Sequence, residues 1–343
     1  MALSRIDTTN MIEDVPQSKL DNNINFRNII INGDMSQSQR STSTSSITSS
    51  SFVLDRWNII PGTLGTWTNS QSTDVPTGQG FASSFKVDCT TADASPAAGD
   101  LLIVRQKFEG QNLQYLSKGT SSAKSTTLSF WVKSNKTGTY IAELFDNDNS
   151  RTISKSYTIN SASTWEKKSV TFAGDTTGAL DNDNALSLIV SFWLGAGTTF
   201  TSGTLQTDWG SQTAANRAVG QVNLADSTDN EWYVTGVQLE AGQTASEFEF
   251  LPVDVNLQRC QRYFQAFTSS DRMYALQYSS AYRALVFSYI CTMRASPTQS
   301  STAVGGSTTA SSATVNSIFR YINLAYNSGT ATYIHSLTLD AEL

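Results

Sequence analysis

Apolar and polar side chains alternate with a period of two in segment after segment of this chain. That alternation fits a β-strand with one buried face and leaves little room for anything else. In residues 128–133, Leu128, Phe130 and Val132 fall on one side and Ser129, Trp131 and Lys133 on the other. In residues 186–194, Leu186, Leu188, Val190, Phe192 and Leu194 alternate with Ser187, Ile189, Ser191 and Trp193. Residues 231–242 repeat the pattern: Tyr233, Thr235, Val237 and Leu239 form one set, and Trp232, Val234, Gln238 and Glu240 the other. The pattern predicts Val237 and Leu239 in the core, with Glu240 towards solvent or a neighbouring loop. Helical periodicity is nearly absent and only six residues are Pro, so the chain reads as all-β.

With 343 residues, at about 150 residues per domain, the chain has length for two domains. Residues 1–25 are polar with scattered apolar side chains, Met1, Ile6, Met11, Ile12, Val15 and Leu20, too sparse for a core. They read either as an arm that is loose when free or as an anchor that orders on another protein. A first strand is expected at 26–31, closed by Asn32-Gly33-Asp34-Met35, because Asn and Gly tolerate the positive φ of a tight turn. Twelve of the sixteen residues from 36 to 51 are Ser or Thr, which reads as an exposed loop. Further strands are expected at 81–89, 101–108, 140–145, 157–159 and 170–172, and a long loop at 195–223. Short antiparallel strands without intervening helices predict a jelly-roll β-sandwich over 26–252. Beyond Pro252 comes a helix, with Val253, Leu257, Cys260 and Phe264 on one face and Asp254 able to cap it. Strands are then expected at 273–278, 284–293, 317–326 and 334–343, with a Ser/Thr/Gly loop at 296–314, so that 253–343 forms a smaller β-sandwich domain.

Composition narrows the chemistry. With 23 basic against 29 acidic residues and a net charge of −6, non-specific nucleic-acid binding is disfavoured, since it depends on Lys and Arg neutralising phosphates. No apolar run is long enough to insert in a membrane, and the N-terminus has no signal-peptide pattern. Cys89, Cys260 and Cys291 are odd in number and scattered, as expected of free thiols in a reducing cytoplasm. The single histidine, His335, would have to carry any Ser-His-Asp or His-rich metal centre alone. No Gly-rich stretch continues into Gly-Lys-Ser/Thr. The turns Asp146-Asn-Asp-Asn149 and Asp181-Asn-Asp-Asn184 suit Asx-turns, with opportunistic calcium as the alternative; neither matches an EF-hand loop. No catalytic residue emerges, so the chain is expected not to be an enzyme.

Trp131, Phe145 and Trp193 each fall opposite their strand's main apolar set. Flat rings on a sheet face suit stacking on sugar C–H surfaces, with Ser, Asn and Asp nearby for hydroxyls. The competing readings are cover by the 195–223 loop or burial between subunits.

Several motifs resemble a known family. Asn28-Ile-Ile-Ile-Asn-Gly-Asp-Met35 with Ser38-Gln39-Arg40 is similar to the opening of many tailed-phage fibre and virion structural proteins, particularly of marine phages. The resemblance continues through Leu54-Asp-Arg-Trp57, Leu128-Ser-Phe-Trp-Val-Lys133, Thr164-Trp-Glu-Lys-Lys168 and Thr235-Gly-Val-Gln-Leu-Glu-Ala-Gly242. Cys260-Gln-Arg-Tyr-Phe264, Met293-Arg-Ala-Ser-Pro297 and Asp340-Ala-Glu-Leu343 extend it. It implies a virion protein with a carbohydrate-binding-module-like sandwich, assembled in the host cytoplasm and often trimeric. Such a protein would attach to host surface glycans and be held on a tail adaptor or nozzle through the N-terminal arm. A head-decoration or collar protein is the structural alternative, and a glycan depolymerase a remote one. Modules of this kind often carry a structural calcium, and Asn32 and Asp34 resemble the first part of that site.

Overall fold

The computed structural model describes residues 26–267, 273–274, 276–277, 282–304, 306–310, 319–326 and 333–343. The proposed anchor residues Met1, Ile6, Met11, Ile12, Val15 and Leu20 lie outside them.

The alternating segments form two facing antiparallel sheets. The first contains, in spatial order, β1 (Ser43–Ile47), β4 (Thr66–Ser72), β5 (Ser84–Thr91), β13 (Glu231–Ala241), β7 (Thr126–Ser134) and β10 (Glu166–Phe172). The second contains β12 (Gly210–Ser211), β9 (Arg151–Ile159), β8 (Gly138–Asp146), β11 (Leu186–Ala196), β6 (Leu101–Glu109), β3 (Asn58–Gly62) and β2 (Ser51–Phe52). From β5 the chain passes back and forth between sheets, giving inner orders β5-β13-β7-β10 and β6-β11-β8-β9. This is the jelly roll that the strand pattern predicts. The inner faces meet in one core in which Phe130, Phe192, Tyr157 and Trp232 interlock, with ring centroids 4.9 Å apart for Phe130–Phe192 and 5.6 Å for Phe192–Trp232. Burying rings of this size contributes about 1.5–3 kcal/mol each.

Several local expectations are corrected. Residues 26–31 are not a strand: Ile29 N–H bonds the Leu239 carbonyl, and Gln106 on β6 brackets Ile31 with both ends of its buried amide. The Ser/Thr-rich 36–51 segment supplies β1, which pairs with β4 at the edge of the first sheet. Thr and Ser fit an exposed pleat as well as a loop, so composition alone does not separate the two.

The largest correction lies in β13. Trp232 and Val234 are core residues together with Val237 and Leu239, whereas Tyr233, Thr235, Gln238 and Glu240 face outward. A bulge between Thr235 and Gln238 shifts the parity of the strand midway. Gly236 makes it possible, at φ +61° and with the Phe81 ring 2.5 Å from where a Cβ would stand. Gly236→Ala is expected to cost about 1–3 kcal/mol in urea unfolding, from the left-handed backbone and the displaced ring. Glu240 meets the neighbouring loop as expected but is buried there, accepting from Gln238 and from the Ser246 N–H and hydroxyl.

After Pro252 the predicted helix forms over α2 (Val253–Gln261); a single turn, α1 (Thr198–Thr201), precedes it in the chain. Its N-cap is Pro252, Asp254 lies in the first turn, Val253 is exposed, and Asn256 and Cys260 are buried. Two four-stranded sheets follow, β14 (Phe264–Phe267), β15 (Met273–Tyr274), β18 (Thr298–Val304) and β21 (Tyr333–Asp340) in one, β16 (Leu276–Gln277), β17 (Tyr282–Ser288), β19 (Gly306–Ala310) and β20 (Phe319–Tyr326) in the other. Strands β18 and β19 occupy the segment expected to be a Ser/Thr/Gly loop. The C-terminal part is fastened to the jelly roll by charge. Buried Glu109 accepts two bonds from Arg262 (2.7 and 2.6 Å), one from the Tyr263 hydroxyl (2.5 Å) and one from Gln111 (2.6 Å). Fully buried Arg56 lies 3.4 Å from the Tyr263 ring centroid and pairs with Glu342.

Candidate functional site

The outer face of the first sheet carries an aromatic and charged row built by strand register. Lys133 on β7, Tyr233 on β13, Lys86 on β5 and Ser70 on β4 are successive cross-strand neighbours. Trp165, just ahead of β10, closes the row beside Lys133. Its ring stands edge-on to Tyr233 at 6.2 Å, and the Lys133 ammonium lies 4.3 Å from the Tyr233 centroid and 5.7 Å from that of Trp165. Trp131 occupies the next row, between Lys167 and Thr235, and is half-buried. Beyond the bulge, Phe81, Phe248 and Phe250 pack at 4.8–5.1 Å, with Phe250 half-exposed.

Carboxylates fix the row. Asp74 pairs with Lys133 and accepts the Trp165 indole N–H at 2.9 Å. Glu231 accepts the Tyr233 hydroxyl at 2.8 Å and lies 2.9 Å from Lys86, which is 3.2 Å from Asp88. Burial alone would lower the Lys86 pKa, but the bonds to Glu231 and Asp88 outweigh it and raise the value. Burial and the Glu231 contact push Tyr233 up to about 12. Burial raises Asp74 and Glu231 less than their lysine partners lower them. Lys86, Asp74 and Glu231 therefore stay charged and the Tyr233 phenol stays neutral near neutrality. Tyr233 and Lys133 are buried within the row, so what it can present is the half-buried rings of Trp165 and Trp131 to C–H groups, and the ammonium of Lys86 and the carboxylates of Asp74 and Asp88 to hydroxyls.

Of the residues singled out from the sequence, only Trp131 belongs to this face. Phe145 and Trp193 stand on the outer side of the second sheet, so the three rings do not form one platform. Trp193 is fully buried, its indole N–H donating to Glu143 at 3.2 Å beneath Phe200 and Arg217. Cover by the 195–223 loop accounts for it, and it offers no face to a ligand. Phe145 is half-buried with the Arg217 guanidinium 5.6 Å from its centroid. Trp165, Tyr233, Lys86 and Lys133 escaped the sequence reading because cross-strand register brings them together, and the β13 bulge hid the orientation of Tyr233.

Asn32 and Asp34 do not fit a calcium ion. The Asn32 amide donates to the carbonyls of Gln37 and Asp55 and accepts the Gln37 N–H, while Asp34 accepts from Asn256 at 3.0 Å. Calcium takes six to eight oxygens, and these are spent on turn and helix. Asn32 does adopt the positive φ expected of it, at 58°. Among the described residues no group of three or more His, Cys, Asp or Glu is arranged to hold a metal. The Asp146 turn is organised by an ammonium instead: Lys118 Nζ pairs with Asp146 and lies 3.0 Å from Asp175 and 2.8 Å from the Gly178 carbonyl.

No family model and no curated protein matches this chain. Among solved structures it is similar to the enzymatically active domain of tailspike protein 4 of bacteriophage CBA120, at 16% identity and TM-score 0.31, over 63% of this chain but only 21% of that one. A family 11 carbohydrate-binding module from Clostridium thermocellum, in complex with a β-1,3-1,4-mixed-linked tetrasaccharide, matches at 12% identity and TM-score 0.30, over 60% of this chain and 99% of that one. The N-terminal cellulose-binding domain of Cellulomonas fimi β-1,4-glucanase C matches at 15% identity and TM-score 0.28, over 55% and 90%. Likenesses this low carry no statement about what this chain binds.

Proposed function

We propose that this chain is a non-catalytic glycan-binding protein of a phage virion, a tail fibre or receptor-binding protein, and that the outer face of its first sheet holds the host glycan. The observation that carries the reading is the row Trp165, Lys133, Tyr233 and Lys86 with Trp131 beside it. The half-buried Trp165 and Trp131 rings stand on a sheet face among charged hydrogen-bonding groups already held in place by Asp74, Asp88 and Glu231. Groups ordered in advance lose little side-chain entropy on binding. The virion placement rests on the motif resemblance, and with it the expectation of a homotrimer attached through residues 1–25.

The test is binding of purified protein to host surface polysaccharide. Trp131→Ala and Trp165→Ala are each expected to weaken it at least about ten-fold, the loss of one stacked ring at about 1.5 kcal/mol, with folding intact by circular dichroism. Saturating wild-type protein is expected to block phage adsorption, and the polysaccharide is expected to keep its length. Unchanged affinity with a changed sedimentation coefficient in Trp131→Ala would assign that ring to a subunit interface, as a head-decoration or collar protein requires.

A further inference from the structure

Five large apolar side chains are exposed among the described residues, and two adjoining segments at the entry to the jelly roll carry three of them. Phe26, Phe250 and Val253 keep 59, 52 and 71% of their surface in water. The backbone N–H groups of Phe26 and Asn28 both donate to the Glu249 carboxylate, at 2.8 and 2.9 Å. Arg27 between them donates to the Ser246 hydroxyl and the Glu247 carbonyl. Residues 26–28 are thereby zipped to residues 246–249, and Phe250 and Val253 follow directly, Val253 as the first residue of α2. The Phe250 ring packs on Phe81 and Phe248 at 5.1 and 4.8 Å and is otherwise open to solvent. Arg259 lines the same corner with Phe248, Glu249 and Leu251. Among the described residues it belongs to no ion pair, and it donates only to the Asn28 carbonyl, at 3.2 Å.

We propose that Leu20 and Ile24, from the chain's own N-terminal residues, cover Phe250 and Val253 in the free protein. Exposed apolar side chains rimmed by polar groups mark contact sites of this kind, and the geometry of the entry selects the occupant. Phe26 is held beside Glu249, and Ile24 and Leu20 precede it by two and six residues. At about 3.3–3.6 Å per extended residue, they reach about 7 and 20 Å from it. The tether makes the contact intramolecular, at an effective concentration on the order of millimolar, which a second copy in dilute solution does not match. Asp21, between the two apolar residues, supplies a carboxylate for the free nitrogens of Arg259. A virion partner that takes residues 1–25 has to lift them off this patch first. No glycan takes part, so the contact is independent of the binding face proposed above.

Trypsin cleavage after Lys19 in the full chain reads the contact, because the rate follows the population of the undocked segment. Wild-type protein is expected to be cut there at least about ten-fold more slowly than the double variant Phe250→Ser, Val253→Ser, while cleavage after Arg5 keeps its rate. Ile24→Ser changes nothing inside the jelly roll and is expected to speed cleavage after Lys19 likewise. All three proteins are expected to sediment alike. Equal rates after Lys19 in the wild type and both variants overturn the proposal. So does a changed sedimentation coefficient in the double variant with its Lys19 rate unchanged, which would assign the patch to a second copy of this chain.

Discussion

Glu109→Gln is expected to lower the stability of the chain by about 3–5 kcal/mol, the cost of leaving one partner of a buried ion pair uncompensated. Glu109 has no exposed side-chain surface, and its two oxygens accept from Arg262, Tyr263 and Gln111, so the amide would leave donors facing donors. Urea unfolding measures the loss. A double-mutant cycle with Arg262→Gln isolates the pair, and the double variant is expected to be less destabilised than the sum of the singles. The pair also gives a pH signature. Burial raises the Glu109 pKa, but the bonds from Arg262 and Tyr263 outweigh it and hold the value below the ordinary one. A carboxyl whose folded-state pKa is depressed contributes stability that is present above its unfolded value, about 4.3, and lost as pH falls through the folded value. Wild-type protein should lose stability below about pH 4 by this route, and Glu109→Gln should lack that component.

Lys118→Met is expected to have an effect of similar size. The ammonium is held by Asp146 and Asp175, both buried, and by the Gly178 carbonyl, with the Trp209 ring 5.0 Å away. Arg151 compensates Asp175 at 2.7 and 3.0 Å, whereas Asp146 is left with Asn149 and the turn N–H. Removing the amine strands a buried carboxylate, at about 3–5 kcal/mol. Thermal unfolding of Lys118→Met is expected to show a drop of many degrees, and Arg151→Met a smaller one, because Arg151 is more exposed and Lys118 remains on Asp175.

What the sequence made legible follows the range of the interactions involved. Leu128, Phe130 and Val132, or Val190, Phe192 and Leu194, declare their buried face because a strand's geometry repeats every two residues. The jelly roll and the α2 helix follow from such local rules. The β13 bulge does not, because Gly236 shifts the parity only by yielding to Phe81, far away in the chain. Strands β1, β18 and β19 stayed hidden since Ser and Thr serve loops and exposed pleats alike. The candidate site was half visible: Trp131 could be named from its own strand. Trp165, Lys133, Tyr233 and Lys86 needed the register of three strand pairs, and Trp193 needed knowledge of the loop that covers it.

The central claim, that glycan binds the outer face of the first sheet, is tested most directly by oxidative footprinting of the full chain with and without host surface polysaccharide. Protection of Trp131 and Trp165, with Phe145 unchanged, is the predicted result. Polysaccharide that binds while leaving Trp131 and Trp165 as reactive as in the free protein would contradict it.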